Sequence, residues 1–287
     1  MAQPLVIPNN SAMFLDVANA TDRELDHLLL TELERAPARV VVRDAGGCKG
    51  RIKDLMPLLF GFYANGCRYE ENGTLYTFQG FRFSGGTNTN AVTNVPAYLA
   101  RLYPCISGST TPRTARMTAS KTGVTVDSYG TGLATGQHSA AVIQENVKDV
   151  LTWSGDLRSY IRFMKLAMKH GSKGAVTVCN GGDISIDEAL LAWLSGIPVV
   201  LLEGTERAAD TLVTAFRAGN LEAEFLKSFD TDGRELSDEL DRRDAVSKID
   251  FPKLTRVAKF DDKLPDLGAE SFARAQYELG LLTPVAA

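Results

Sequence analysis

Apolar positions along the chain fall into two alternating patterns. Short runs without polar alternation occur at residues 38–43 (ARVVVR), 80–84 (GFRFS), 175–179 (AVTVC) and 198–202 (PVVLL). Such runs suit strands buried on both faces, as in a parallel sheet. Each runs into a glycine turn: 44–47 (DAGG), 85–90 (GGTNTN), 180–183 (NGGD) and 203–205 (EGT). Each turn is followed by a segment with helical spacing, at about 51–64, 94–103, 185–194 and 207–218. Four strand–glycine–helix units predict right-handed βαβ crossovers and a parallel sheet covered on both sides. Residues 124–128 (VTVDS) read as a fifth strand and 105–108 as a further short one. The amphipathic stretch 140–170 reads as two helices broken at 153–156 (WSGD). No internal repeat of fixed period is present.

The ends have a different texture. Residues 1–20 carry Pro4, Pro8, Asn9 and Asn10 and read as an arm with one short strand. Thr21 with Glu24 three residues on forms a capping box, predicting a helix over about 22–35. From Asp230 the chain is heavily charged, then regains helical spacing at Phe272, Ala275, Tyr277 and Leu281. The expected organisation is an N-terminal arm and helix (1–36), an α/β domain (37–229) and a C-terminal appendage (230–287). The appendage is expected to pack on the main domain or on a partner subunit.

Composition narrows the classes. Apolar residues make up 44% and charged residues 23% of the 287, which is ordinary for a globular chain. With 31 basic and 35 acidic residues the net charge is −4, which argues against general nucleic-acid binding, where phosphates must be neutralised. No apolar run approaches the ~18 residues of a membrane span. No basic region followed by an apolar core opens the chain, so a cytoplasmic location is expected. Cys48, Cys67, Cys105 and Cys179 form no CxxC pair and lie far from His27, His138 and His170 in sequence, so free thiols and no metal site are expected.

In an open parallel sheet, ligands bind beyond the carboxyl ends of the strands. Here those ends carry the glycines. Glycine permits positive φ and close backbone approach, and the following helix N-terminus offers unpaired N–H groups to phosphate. The candidate ligand-binding residues are therefore Gly46, Gly47 and Lys49 on the first turn; Gly85, Gly86, Thr87, Asn88 and Asn90 on the second; Gly181, Gly182, Asp183 and Ser185 on the third; and Gly204, Thr205 and Arg207 on the fourth. Lys49 and Arg207 are possible phosphate counter-charges. Glu188, one turn into the third helix, could accept from ribose hydroxyls or act on a glycosidic bond. The plainer alternative makes Asp183 or Ser185 an N-cap, Asp187 and Glu188 favourable first-turn charges, and Arg207 the salt-bridge partner of Glu203 or Asp210.

Three motifs resemble one family. Residues 83–90 (FSGGTNTN) resemble the strand-GG[TS]-x-T-G turn of the SLOG domain at the N-terminus of TRP melastatin (TRPM) channels. Residues 178–182 (VCNGG) resemble its V-x-E-G-G turn, and 199–210 (VVLLEGTERAAD) its V-V-x-G-x-G-R-A-A-D segment. Order and spacing agree over about residues 38–220, and the similarity is to the stand-alone prokaryotic type. The wider superfamily includes the LOG (lysine-decarboxylase-like) phosphoribohydrolases, whose P-G-G-x-G-T-x-x-E turn is similar to residues 180–188. Here Asn180 stands for the proline, Ile184 for the third glycine and Ser185 for the threonine. Asn90 takes the place of a glycine in the first TRPM-type motif. The Arg-Lys pair of the LOG helix is absent; Arg158, Arg162 and Lys165 lie in the matching stretch without adjoining.

The resemblance implies a Rossmann-like α/β fold, with helices on both faces of a parallel sheet, an N-terminal arm and a C-terminal helical appendage. It implies binding of a small-molecule nucleotide, such as NAD-derived ADP-ribose, with output through an oligomer (a homo-oligomer among them) or partner contact. Two alternatives stand beside it: a LOG-like phosphoribohydrolase or N-glycosidase using Glu188, and a structural scaffold. No cofactor other than the nucleotide ligand is called for.

Overall fold

The computed structural model describes residues 4–6, 13–16, 27, 40–85, 92–103, 105–112, 116–120, 123–127, 134–138, 141–144, 153–224 and 242–285. The strands are β1 (Pro4–Val6), β2 (Met13–Asp16), β3 (Val40–Gly46), β4 (Arg68–Glu71), β5 (Thr74–Thr77), β6 (Phe81–Gly85), β7 (Ile106–Pro112), β8 (Arg116–Ser120), β9 (Gly123–Asp127), β10 (Ala134–His138), β11 (Ala141–Gln144), β12 (Lys173–Cys179), β13 (Val199–Glu203), β14 (Thr255–Lys259) and β15 (Thr283–Pro284). The helices are α1 (Met56–Gly66), α2 (Val95–Leu99), α3 (Trp153–Lys169), α4 (Asp183–Leu194), α5 (Arg207–Arg217), α6 (Arg242–Ser247), α7 (Phe251–Leu254) and α8 (Pro265–Glu278).

The main sheet has the order β1-β2-β11-β7-β6-β3-β12-β13-β14. All its pairings are parallel except β1 with β2. The predicted Rossmann-like α/β fold is what forms. From the central β3 the chain steps outward to β6 and β7, then returns to the other side of β3 as β12, β13 and β14. The strand order reverses between β3 and β12, which makes their carboxyl ends the topological switch point.

Unbroken apolar strands serve both faces. Val41 and Ala45 of β3, Val176 and Val178 of β12, and Val199 and Leu201 of β13 point to one core with Tyr160, Phe163 and Met164 of α3, Leu190 and Trp193 of α4 and Leu212 of α5. Val40, Val42, Ala175, Cys179, Val200 and Leu202 point to the other, with Leu59, Phe62 and Tyr63 of α1, Leu99 of α2 and Phe272 of α8. Strand alternation also sends the adjacent Arg43 and Asp44 to opposite faces. Arg43 meets Glu188 of α4 at 2.9 Å, and Asp44 takes a two-point contact from Arg82 at 2.6 and 2.7 Å.

Several expectations change. Residues 141–144 are a strand, and 153–156 begin α3 instead of breaking a helix. The Ala-Val-Ile run fills a sheet position, and Gly155 sits in the first helical turn. Residues 124–128 do contain a strand, but β9 pairs antiparallel with β8 and β10 in a separate small sheet. Only two residues separate β8 from β9, a spacing that favours a hairpin over a crossover. The 105–108 strand is longer, as β7, and lies in the main sheet. The arm supplies two strands, not one. The second helix is short, spanning Val95–Leu99. The predicted 22–35 helix lies outside the described residues except for His27. The C-terminal segment packs on the main domain and also contributes β14 to its sheet.

Candidate functional site

The turns after β3, β12 and β13 come together at the switch point. Gly46 abuts Cys179 so closely that a side chain there would enter the Cys179 carbonyl, and the Gly47 amide donates to that same carbonyl at 3.2 Å. Close strand packing therefore accounts for Gly46. Gly47 differs: a Cβ there would make only ordinary contacts, at 3.6 Å from Asn180 Oδ1 and the Gly181 Cα. Lys49 is exposed beside it. Gly85 ends β6, one strand away from this point. Gly86, Thr87, Asn88 and Asn90 lie outside the described residues.

The third turn is shaped by two positive φ angles, 55° at Asn180 and 80° at Gly181. Gly182 is the N-cap of α4, and no side chain caps this helix. The expected caps from Asp183 or Ser185 are not made. Ser185 and Ile186 return their amides to the Gly182 carbonyl at 2.9 and 3.2 Å. The amides of Gly182, Asp183 and Ile184 find no acceptor among the described residues, leaving N–H groups and the positive end of the helix dipole facing outward. The Ser185 hydroxyl sits against Gly181.

The fourth turn is held from within. Asp210 accepts from the Gly204 amide at 2.6 Å and the Glu206 amide at 3.0 Å. Glu206 and Arg207 adopt φ of 67° and 57°, and Glu206 has ψ of 174°. That region is almost glycine-only, and such strain concentrates at functional sites. Glu206 also accepts from the Arg51 amide at 3.0 Å. Arg207 carries its guanidinium to Gly182, with Nη2 3.0 Å from where a Cβ would stand. Its expected ion-pair partners are engaged elsewhere: Glu203 with Arg217, and Asp210 with the two turn amides.

Three residues take roles other than those expected. The Thr205 hydroxyl is turned inward, donating to the Leu202 carbonyl at 2.6 Å and accepting from the Asn180 amide at 2.8 Å. Gly204 is required by its φ of 83° and by the Phe260 carbonyl against it. Glu188 does not reach toward a ribose. It is buried, with Oε1 accepting from Arg43 Nε at 3.2 Å and Nη2 at 2.9 Å. Arg43 in turn lies over the Tyr160 ring at 4.2 Å.

On the opposite face, Arg82 joins Asp44 to the Gln276 Oε1 at 3.3 Å, beneath Tyr63 and Phe78. Burial pushes the Asp44 carboxyl above its usual range, against the pull of Arg82. Burial likewise pushes the Cys67 and Cys179 thiols up to about 12. All four cysteines are free, and no metal-holding cluster occurs among the described residues. No helix there is long and apolar enough to cross a membrane.

Residues 117–242 match the model of a family described as SLOG in TRPM, prokaryote. The chain carries a SLOG-like domain of the prokaryotic type. The match covers the β12 and β13 turns and begins beyond the β6 turn. No curated protein matches the chain. Within the matched segment, Asn180 joins the site although the sequence pattern does not mark it. Its only sequence signal was a polar residue where the LOG turn has proline. That proline could not adopt φ of 55° or donate an amide hydrogen.

Proposed function

We propose that this SLOG domain binds a nucleotide-derived anion, of which ADP-ribose is the leading example, and acts as a sensor. One observation carries the reading: the uncapped N-terminus of α4 lies at the switch point with the Arg207 guanidinium beside Gly182. Free amides, a helix dipole and an exposed guanidinium form the chemistry that holds a phosphate. Gly47, Gly181 and Gly182 let the ligand approach the backbone, Ser185 supplies a hydroxyl, and Lys49 adds charge at the rim. The match of residues 117–242 to the SLOG family model supports a nucleotide-related ligand. The burial of Glu188 against Arg43 favours binding over LOG-type hydrolysis, since its Oε1 is engaged by the guanidinium in the core and is turned away from the helix mouth.

The test is native mass spectrometry of the purified protein for a co-purified nucleotide, then calorimetric titration with ADP-ribose and AMP. Binding that falls about tenfold or more in Arg207→Ala supports the reading. Absence of binding, or affinity indifferent to Arg207, overturns it.

A further inference from the structure

Asn180 is fully buried and makes hydrogen bonds to both neighbouring turns. Its side-chain amide clasps the backbone of Lys49: Oδ1 accepts from the Lys49 amide at 3.2 Å, and Nδ2 donates to the Lys49 carbonyl at 3.1 Å. The same Nδ2 donates to the Thr205 carbonyl at 2.7 Å. Its backbone amide donates to Thr205 Oγ1 at 2.8 Å, and its carbonyl accepts from the Ala209 amide of α5 at 3.0 Å. One residue therefore spans the ends of three strands that are far apart in sequence.

We propose that Asn180 is the positioning residue of this site, locking the turns after β3, β12 and β13 into one cradle. The inference rests on the ligand-binding reading for its consequence, but the coupling itself belongs to the free protein. Without the side chain, the Lys49 backbone loses both its hydrogen bonds to the β12 turn and the Thr205 carbonyl loses its Nδ2 donor, while the backbone of residue 180 keeps its bonds to Thr205 Oγ1 and the Ala209 amide. The Gly181–Ser185 turn stays in place, since its own bonds run to the Gly182 carbonyl. A ligand spanning the cradle must then order these parts itself, whereas a small anion held at α4 alone need not.

Glycine is the informative replacement, because it accepts the φ of 55° and removes only the side chain. In Asn180→Gly, hydrogen exchange followed by mass spectrometry is expected to quicken about tenfold or more at both 47–51 and 204–209, with β12 itself unchanged. Affinity for ADP-ribose is expected to fall about tenfold, and for inorganic pyrophosphate by less than about threefold. Unchanged exchange in the two segments overturns the proposal, as does an equal loss for both probes, which a general structural weakening would give. If the wild type binds neither probe, the ligand reading fails and the exchange result alone decides for or against the coupling. If the glycine variant does not fold, Asn180→Asp is measured in the same way; it keeps the volume and the acceptor for Lys49 but deletes both donors.

Discussion

At the residue scale, the glycines of one motif do different work. Gly46 and Gly204 are fixed by carbonyls that leave no room for a side chain. Gly181 combines φ of 80° with the Ser185 side chain against it, so replacing it would strain the fold as well as the site. Gly182 has φ of −139°, open to any residue, and faces only the far end of Arg207. Gly182→Ala is therefore expected to leave the melting temperature nearly unchanged while weakening ADP-ribose binding by about 1–2 kcal/mol, the worth of a displaced charge-assisted contact. Titration calorimetry with a parallel melt checks this; a large stability loss would show that Gly182 is structural. The thiols give a second test. Burial raises Cys67 and Cys179 from 9.0 to about 12 and Cys105 to about 11. A thiol held neutral in the fold stabilises fully below its unfolded pKa and loses that contribution as pH rises through the folded value. Stability is accordingly expected to fall from about pH 9 towards 12, less steeply in a Cys67→Ala, Cys179→Ala variant. At pH 7.5, Cys67 and Cys179 should resist maleimide until the protein is unfolded.

At the element scale, strand–turn–helix order was legible because buried parallel strands write themselves as unbroken apolar runs ending in glycine. AVTVC and PVVLL became β12 and β13, and the glycine turns after them lie where the pattern placed them. Side-chain direction was less legible. A carboxylate one turn into the helix suggests a group near the helix mouth, yet α4 turns Glu188 inward to Arg43, a partner 145 residues away. Asn180 was missed for the same reason: its five contacts join segments that no local window contains. Helix packing also depends on distant pairs. The Phe62 and Phe272 rings stack at 5.2 Å, and Gly66 at the end of α1 touches Phe272 so closely that a methyl group cannot enter. Gln276 of α8 closes the contact by donating to the Gly66 carbonyl at 2.6 Å. Gly66→Ala, harmless on an exposed helix, is expected to cost about 1–3 kcal/mol by overpacking, read from urea denaturation. A stabilised variant would mean that α8 can shift away from α1 without penalty.

At the scale of the whole molecule, the charged stretch after residue 229 marks a change in texture that reads as a boundary, but the packing crosses it. β14 pairs along its length with β13, from Val199 with Thr255 to Glu203 with Lys259. Phe260, Phe272 and Leu281 are buried in the same core as Leu59 and Val200. β15 returns to pair with β5, so the last residues also close the small sheet beside α1. Sequence could not reveal this, because charge density reports the exposed part of a segment and not what its few apolar residues cover. The energetic consequence is large. Each fully buried Phe or Leu contributes about 1.5–3 kcal/mol, against a total stability of about 5–15 kcal/mol for a typical domain. Loss of these three side chains alone is comparable to the lower part of that range, before the strand pairing and the exposed face of α1 are counted. A chain ending after residue 229 is therefore expected to lack a cooperative thermal transition and to bind an apolar dye, as measured by calorimetry and dye fluorescence. A truncated chain that melts cooperatively and still binds ADP-ribose would instead make residues 230–287 a separable appendage, and would confine the folding unit to the strands from β3 to β13.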